Sequence, residues 1–252
     1  MVPIKSALII FLAISCLHPV YSQQKYTPVS IHSHNDYSRP DPFYHAFKAG
    51  VGTIEADVFL RNGKLMVAHD SADIQPERTL KALYLDPLKK ELTNHPRPVI
   101  LMIDMKEAYG PLLSQLINEL EALKPFIKAD NNQAPLGIVI TGNRPPPSQY
   151  QDYPSYLSFD DDLQLPHTLQ QWQRVAQVSL NFANYSKWKG EGALPLRDEK
   201  VTRAIINAVH LTGKKIRFWA APDNPAGWQK LIDLKADILS TDKIDELITA
   251  IK

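Results

Sequence analysis

The sequence predicts a single α/β domain in which parallel strands and outer helices form a (β/α)8 barrel. Short apolar runs rich in Val, Ile and Leu alternate with segments of helical spacing, and this alternation is typical of parallel sheets with crossover helices. The 252 residues match the length of such a barrel, and no internal boundary divides them. Polar residues recur where the predicted strands end, which is the working face of a parallel barrel.

Eight segments are predicted to be barrel strands. The third has an uninterrupted Val-Ile-Leu-Met-Ile core, which is typical of a strand buried on both faces. The others are short, as the inner strands of a closed barrel are. The predicted strands are 28–32, 53–60, 98–105, 136–141, 156–159, 177–181, 215–220 and 237–240.

Seven segments have helical spacing or length, and they fit between these strands. Gly213 follows one of them and indicates the end of that helix. The predicted helices are 41–49, 80–93, 111–123, 170–174, 198–211, 226–234 and 243–251.

Two segments interrupt the alternation. Asn62 and Gly63 stand between two apolar stretches and predict a small β-hairpin inserted after the second strand, which returns the chain to His69. Three consecutive prolines follow Arg144, and proline cannot continue a helix interior. A loop is therefore expected at the end of the fourth strand.

The first 22 residues have the pattern of an export signal. Lys5 precedes an apolar run at 7–17, which is shorter than the about 20 residues that span a membrane, and Ser22 ends a small-residue cleavage site. We expect residues 1–22 to be removed and residues 23–252 to form an exported barrel, periplasmic, secreted or in the cell envelope, without a transmembrane segment. A lipoprotein cleavage box that ends at Cys16 is the less favoured alternative.

The charge balance limits the kind of partner. Lys and Arg number 28 against 27 Asp and Glu, so no basic field is present to attract nucleic acid. The sequence therefore predicts a small, locally recognised ligand. It leaves the oligomeric state and peripheral contact with a membrane open.

A cluster of acids and histidines suggests metal-assisted acid–base chemistry. Glu55 and Asp57 lie two residues apart on a predicted strand, so their carboxylates point to one face. Carboxylate oxygens suit Ca²⁺ or Mg²⁺. His34 and His69 flank this pair, and histidine moves protons near neutral pH. Asp104, at the end of the third strand, adds another carboxylate to the same barrel face.

Four motifs carry a family resemblance: Ser33-His34-Asn35-x-Tyr37, Glu55-x-Asp57, His69, and Asp104-x-Lys106. Together they resemble the phospholipase C-like phosphodiesterase superfamily, which includes phosphoinositide phospholipases C and glycerophosphodiester phosphodiesterases. The resemblance implies a TIM barrel that hydrolyses a small phosphodiester or a phospholipid headgroup with one divalent cation, Ca²⁺ or Mg²⁺. It also implies that His34 and His69 are catalytic and that Lys106 faces the phosphate. The implied metal ligands are Glu55, Asp57, Asp104 and Asn35.

Several residues and functions stay open at this point. His32-x-x-Asn35 also resembles the opening of spider-venom type phospholipases D, so His32 is an alternative catalytic histidine, although the His-Asn adjacency favours His34. Arg144 and Trp219 are further candidates for contact with the substrate. Tyr37 and Arg39 are expected to be exposed loop residues without a catalytic role.

The His-Arg-Gly opening of glycerophosphodiesterases is absent, so the choice among glycerophosphodiesters, phosphoinositides and similar diesters stays open. One alternative function is an exported, non-catalytic barrel that binds a phosphorylated headgroup or glycan. Another is an amidohydrolase-like metal hydrolase. That class needs histidines on later strands, and the fifth and sixth predicted strands contain none.

Overall fold

Eight parallel strands form a nearly closed barrel, which confirms the predicted fold class. The computed structural model describes residues 25–129 and 133–252. The predicted export signal at 1–22 and Cys16 lie outside the described residues, so export stays a prediction. The strands, including that of the hairpin, are β1 (Ile31–Ser33), β2 (Thr53–Arg61), β3 (Lys64–Val67), β4 (Val99–Met105), β5 (Leu136–Gly142), β6 (Leu157–Asp161), β7 (Val175–Asn181), β8 (Lys215–Trp219) and β9 (Leu239–Thr241).

The barrel closes at a seam between β8 and β9. Around the wall the strand order is β8, β7, β6, β5, β4, β2, β1 and β9, with parallel neighbours throughout. A single bridge between Arg217 and Ile238 joins β8 to β9 in the described residues. The first strand, β1, pairs on both sides, so His32 lies beside Thr53 of β2 and Ser240 of β9.

Helices follow most of the strands, as the alternation predicts. Between β5 and β6 the described chain forms a 3-10 turn at Pro147–Asp152 in place of an α-helix, which agrees with the loop expected from the prolines. The α-helices are α1 (Tyr44–Lys48), α2 (Asp86–Asn94), α3 (Tyr109–Glu119), α4 (Leu169–Gln173), α5 (Leu196–Leu211), α6 (Pro225–Leu234) and α7 (Ile244–Ala250).

Several predicted boundaries differ from the observed ones, and three of these differences have a clear local reason. The strand predicted at 28–32 begins only at Ile31, because Pro28–Ser30 form a 3-10 turn. The helix predicted at 41–49 begins at Tyr44, because Phe43 has a φ of 68°, which a right-handed helix cannot include. The helix predicted at 80–93 opens with a π-helical turn at Lys81–Leu85 before α2.

Apolar side chains on one side of the helices complete the core. Helix α3 buries Leu112, Leu113 and Leu116, and α6 buries Trp228 and Leu231. Each fully buried leucine contributes about 1.5–3 kcal/mol relative to an exposed one. None of the helices in the described part of the chain is both long and apolar enough to cross a membrane.

The predicted hairpin is present between β2 and β3. Arg61 pairs with Lys64, and the two residues between them, Asn62 and Gly63, have φ values of 50° and 72°. Two consecutive positive φ angles are the mark of the tight turn that Asn-Gly favours. The hairpin returns the chain beside β2, so His69 follows directly after β3.

We expect Gly63→Ala to lower the free energy of unfolding by about 1–2 kcal/mol, because alanine disfavours the left-handed conformation that this turn needs. A Cβ atom at Gly63 would contact nothing within 4 Å, so the loss would report the backbone alone. Urea denaturation measures it. Gly110→Ala in α3, which also has open space around the new Cβ, is the matched control and should not destabilise the protein. Equal stabilities of the two variants would contradict the turn assignment.

Candidate active site

Three carboxylates converge where the middle of β2 lies beside the carboxyl end of β4. Glu55 and Asp57 lie two residues apart on β2 and are buried, and Asp57 is paired in register with Asp104 of β4. One carboxylate oxygen from each of the three lies within 4.8 Å of the others. Gly142, at the end of β5, leaves room for this arrangement, because a Cβ atom there would lie 1.9 Å from Asp104 Oδ1. The structure thus brings together the three acids that the sequence singled out.

Lys106 compensates only part of this negative charge. Its Nζ lies 2.8 Å from Asp57 Oδ2 and 2.6 Å from Asp104 Oδ2. Burial alone would lower the pKa of Lys106, but its hydrogen bonds and charge interactions with the two aspartates raise that pKa above its usual value. Burial, together with repulsion from Glu55 and Asp104, raises the pKa of Asp57 to about 6.

The charge that remains matches a divalent cation. Three ionised carboxylates and one ammonium group leave two negative charges at this place. Buried carboxylates without compensation are costly, and oxygen ligands within a few ångströms of one another suit a hard cation. The acidic triad of Glu55, Asp57 and Asp104 could therefore hold a divalent metal ion.

Tyr37 belongs to the site, contrary to the expectation of an exposed loop residue. It is only 4% exposed, and its hydroxyl lies 2.8 Å from Asp57 Oδ2 and 2.7 Å from Asn35 Oδ1. The same hydroxyl lies 3.2 Å from His69 Nδ1. Tyr37 thereby joins the acidic cluster to both His69 and Asn35. The spacing Asn35-x-Tyr37 within the family motif was the signal that could have identified it.

Asp36 folds the loop that carries Tyr37. Its buried carboxylate accepts hydrogen bonds from the Ser33 hydroxyl at 2.9 Å, the Phe43 amide at 2.6 Å and the Tyr84 hydroxyl at 3.2 Å. Asn35, immediately before it, has a left-handed φ of 46° and turns the chain out of β1. The side chain of Asp36 therefore holds the loop from within, while its neighbour Tyr37 faces the acids.

His32 is fully buried inside the barrel, next to the acidic cluster. Its Nε2 lies 3.0 Å from Glu55 Oε2 and 2.7 Å from Arg217 Nη1. Burial and the charge of Arg217 lower the pKa of His32 to about 4. Burial alone would raise the pKa of Glu55, but His32 and Arg217 outweigh this effect and lower it to about 2. At neutral pH, a neutral imidazole therefore lies between a carboxylate and a guanidinium.

Arg217 connects this group to the opposite wall of the barrel. Its Nε donates to Ser179 Oγ at 2.9 Å, and its Nη2 lies 3.7 Å from Asp160 Oδ2. The Asp160 carboxylate in turn accepts from the Thr141 hydroxyl at 3.1 Å. Sequence reasoning did not identify Arg217 or Asp160, because an inward-facing arginine on one strand has no partner within its own sequence neighbourhood.

His34 lies at the mouth of the barrel and is partly exposed. Its Nδ1 is 2.8 Å from Asp242 Oδ1. Burial alone would lower the pKa of His34, but the hydrogen bond to Asp242 and the nearby Glu55 raise it. His69 is exposed, and its Nδ1 lies 3.4 Å from Asp57 Oδ2. Asp242 is a further site residue that sequence reasoning missed.

The two weaker candidates for substrate contact lie away from the acids. Arg144 Nη2 is 3.1 Å from Asp162 Oδ1, and Arg144 Nε donates to the Tyr150 hydroxyl at 3.4 Å, so no contact joins it to the acidic cluster in the described residues. Trp219 is 44% exposed at the end of β8 and lines a cavity together with His34. The structure therefore places Trp219, but not Arg144, beside a predicted catalytic residue.

Comparison with known proteins shows what the first part of this domain is similar to. Residues 22–98, which contain β1, β2, β3 and most of the site, match the family described as an AIM6-like phosphodiesterase domain. The predicted resemblance to phosphodiesterases, and with it the enzyme class, is thereby confirmed.

Two fungal relatives illustrate the sequence similarity. Altered inheritance of mitochondria protein 6 of Eremothecium gossypii is 26% identical over 274 residues, which cover 85% of this chain and 67% of the relative. A homolog of that protein from Arthroderma benhamiae is 34% identical over 151 residues, which cover 47% of this chain and 48% of the relative. The second similarity therefore spans about half of each protein.

Solved structures show the same fold. A glycerophosphodiester phosphodiesterase from Parabacteroides distasonis has a TM-score of 0.58 at 13% identity and covers 88% of this chain and 95% of its own. An Oleispira antarctica phosphodiesterase, solved in complex with the product sn-glycerol-3-phosphate, has a TM-score of 0.55 at 12% identity with the same coverage. At these identities, the similarity establishes the barrel and its topology.

We expect Tyr37→Phe to lower the free energy of unfolding by about 1.5–3 kcal/mol, the range for a hydrogen bond to a charged group. The variant removes the hydroxyl that contacts Asp57 and keeps the ring. Tyr156→Phe is the matched control, because the Tyr156 hydroxyl is buried without a hydrogen-bond partner in the described residues, and its removal should be neutral or slightly stabilising. Chemical denaturation of both variants tests this, and equal effects would refute the role given to Tyr37.

Proposed function

We propose that this protein is a metal-dependent hydrolase of small phosphodiesters, in which two histidines act as general acid and base. One observation carries the proposal: three carboxylates with two uncompensated negative charges lie between two histidines that reach solvent. A phosphodiester resists hydrolysis because its own charge repels nucleophiles and because its leaving alkoxide is poor. Such a site addresses both difficulties.

The proposed cation is a single Ca²⁺ or Mg²⁺. Glu55, Asp57 and Asp104 would hold it, joined by the amide oxygen of Asn35, and this all-oxygen donor set suits hard divalent ions. When bound, the cation supplies neutralisation of the phosphoryl oxygens. Lys106, which contacts two of these carboxylates, would face the phosphate from the side of β4.

The contacts of the histidines support a division of roles. Asp242 holds His34 through Nδ1, and Nε2 has no hydrogen-bond partner in the described residues, so Nε2 is available to take the proton of the attacking hydroxyl. His69 would then deliver a proton to the leaving oxygen. His32 is buried, and its Nε2 contacts both Glu55 and Arg217. These contacts favour a role for His32 in positioning Glu55.

Glycerophosphodiesters, phosphoinositides and similar small diesters are the proposed substrates. The Oleispira phosphodiesterase of the same fold is complexed with sn-glycerol-3-phosphate, which supports a small phosphate ester here. A hydroxyl of the substrate can attack first to give a cyclic phosphate, or water can attack directly, and the first product distinguishes these routes.

We also propose that the protein is exported by its first 22 residues. The fungal relatives are named for mitochondrial inheritance, so fractionation of the producing cell tests this.

We expect a chelator to abolish hydrolysis of bis(p-nitrophenyl) phosphate, and added Ca²⁺ or Mg²⁺ to restore it. Asp104→Asn removes one charged ligand and should raise the cation concentration for half-maximal rate about tenfold or more. Asp86→Asn, which removes an exposed carboxylate of α2, is the control and should leave that concentration unchanged. Full activity in the presence of the chelator would contradict the metal-dependent mechanism. Absence of hydrolysis with every diester and cation would favour a binding protein.

We expect His34→Ala and His69→Ala each to lower kcat by about 10²–10⁴-fold, the usual contribution of a positioned acid or base. Cation affinity, measured by calorimetric titration, should change little in either variant. His45→Ala removes a histidine whose contact is Asp245 on α7 and serves as the control. A His32→Ala variant that loses kcat but keeps cation affinity would instead make His32 the base.

A further inference from the structure

An arginine and a glutamate face each other inside the barrel without forming an ion pair. Glu55 of β2 and Arg217 of β8 are each only 4% exposed, and buried charges are ordinarily paired or bound to metal ions. Arg217 has an ion pair with Asp160 but none with Glu55 among the described residues. The ring of His32 lies between the guanidinium and the Glu55 carboxylate and separates them.

The contacts of His32 fix the position of its proton. Its Nε2 lies 2.7 Å from Arg217 Nη1, and a guanidinium has donors only, so Nε2 accepts this hydrogen bond. A neutral imidazole accepts through one nitrogen, so the proton is on Nδ1. Nε2 therefore has no hydrogen to donate to Glu55 Oε2 at 3.0 Å. The ring keeps the two charges apart and passes no hydrogen bond between them.

This arrangement of the His32 ring has a cost in stability. Nδ1 is buried and has no hydrogen-bond partner within the described ranges 25–129 and 133–252. A buried N–H group without an acceptor destabilises a folded protein, and such exceptions in a native structure call for an explanation. The explanation that we give concerns Glu55.

Glu55 differs from the two aspartates of the acidic triad. Asp57 accepts a hydrogen bond from the Tyr37 hydroxyl, and Lys106 contacts both Asp57 and Asp104. The contact of the Glu55 carboxylate in the described structure is with His32 Nε2, which acts here as an acceptor. Glu55 is therefore the one acid of the triad that no donor holds, and its oxygens are available to a cation.

We propose that His32 is a positioning residue that keeps the guanidinium of Arg217 away from Glu55, so that this carboxylate stays available to the cation. Because Nη1 of Arg217 and Oε2 of Glu55 contact the same ring nitrogen, removing the ring lets these two groups meet. Their ion pair would then neutralise a cation ligand. The inference rests on the proposed function, because it concerns the cation that the acidic triad would hold.

Two substitutions, made singly and together, test this role through the dissociation constant of Mg²⁺ and of Ca²⁺ in calorimetric titrations. His32→Ala should raise it about tenfold or more, in the range usual for residues that support metal ligands. His32→Ala combined with Arg217→Met should restore it to within about threefold of the wild-type value, because the competing guanidinium is gone. Arg217→Met alone should not raise it, since a positive charge near the cation is removed.

Rescue by the second substitution separates this role from simple damage to the fold. Arg203→Met is the matched control, because Arg203 lies on α5 and pairs with Glu199. Combined with His32→Ala, it should leave the dissociation constant raised. Arg217→Met also leaves Asp160 without its ion pair, so thermal unfolding is measured for every variant.

A measurement on the wild-type protein without cation needs no substitution. Nuclear magnetic resonance of ¹⁵N-labelled histidine distinguishes a ring nitrogen that carries a proton from one that does not. We expect the proton of His32 on Nδ1. A proton on Nε2 would mean that His32 donates to Glu55, and would overturn the proposal.

The remaining outcomes distinguish this inference from the proposed function. A wild-type protein that binds the cation, with an unchanged dissociation constant in His32→Ala, would overturn the separating role and leave the metal-dependent hydrolase in place. A double variant that binds as weakly as His32→Ala would overturn it as well, because Arg217 would not be the competitor. Absence of cation binding by the wild-type protein would overturn the metal-dependent function and this inference with it.

Discussion

Repulsion among three carboxylates is the constraint on which the mouth of this barrel depends. Oxygens of Glu55, Asp57 and Asp104 lie within 4.8 Å of one another, and at such distances two like charges near a protein surface repel by about 3–4 kcal/mol. Lys106 contacts Asp57 and Asp104 and reduces their repulsion. On the other side, His32 contacts both Glu55 and Arg217. The remaining negative charge makes this barrel mouth suited to a cation.

The loop after β1 places further side chains around the three carboxylates. Asp36 is buried to hold the loop, and Tyr37 reaches across to contact Asp57 and His69. His34, at the start of the same loop, is held by Asp242 from the far end of the chain. One short loop therefore places Tyr37 and His34 relative to the acids and to His69.

The sequence was sufficient for the barrel and for the residues whose placement follows from strand geometry. Alternation puts Glu55 and Asp57 on one face, and the shared carboxyl edge of parallel strands brings Asp104 to them. Asp242 and Arg217 escaped prediction because their partners lie 208 and 185 positions away, and no local pattern encodes such pairs. Tyr37 escaped because loop position suggests exposure, whereas Asp36 holds that loop against the barrel. The late start of α1 follows from the backbone at Phe43, which composition does not reveal.

The incomplete seam between β8 and β9 has a consequence for how this protein can diverge. Few ladder hydrogen bonds cross it, so substitutions at the end of β8 and around β9 leave most of the wall intact. The acids lie on other strands, β2 and β4, and keep their register whatever occupies the seam. Substitutions at the seam can therefore reshape the cavity beside His34 while the acidic triad keeps its geometry, because the cavity and the triad lie on separate parts of the wall.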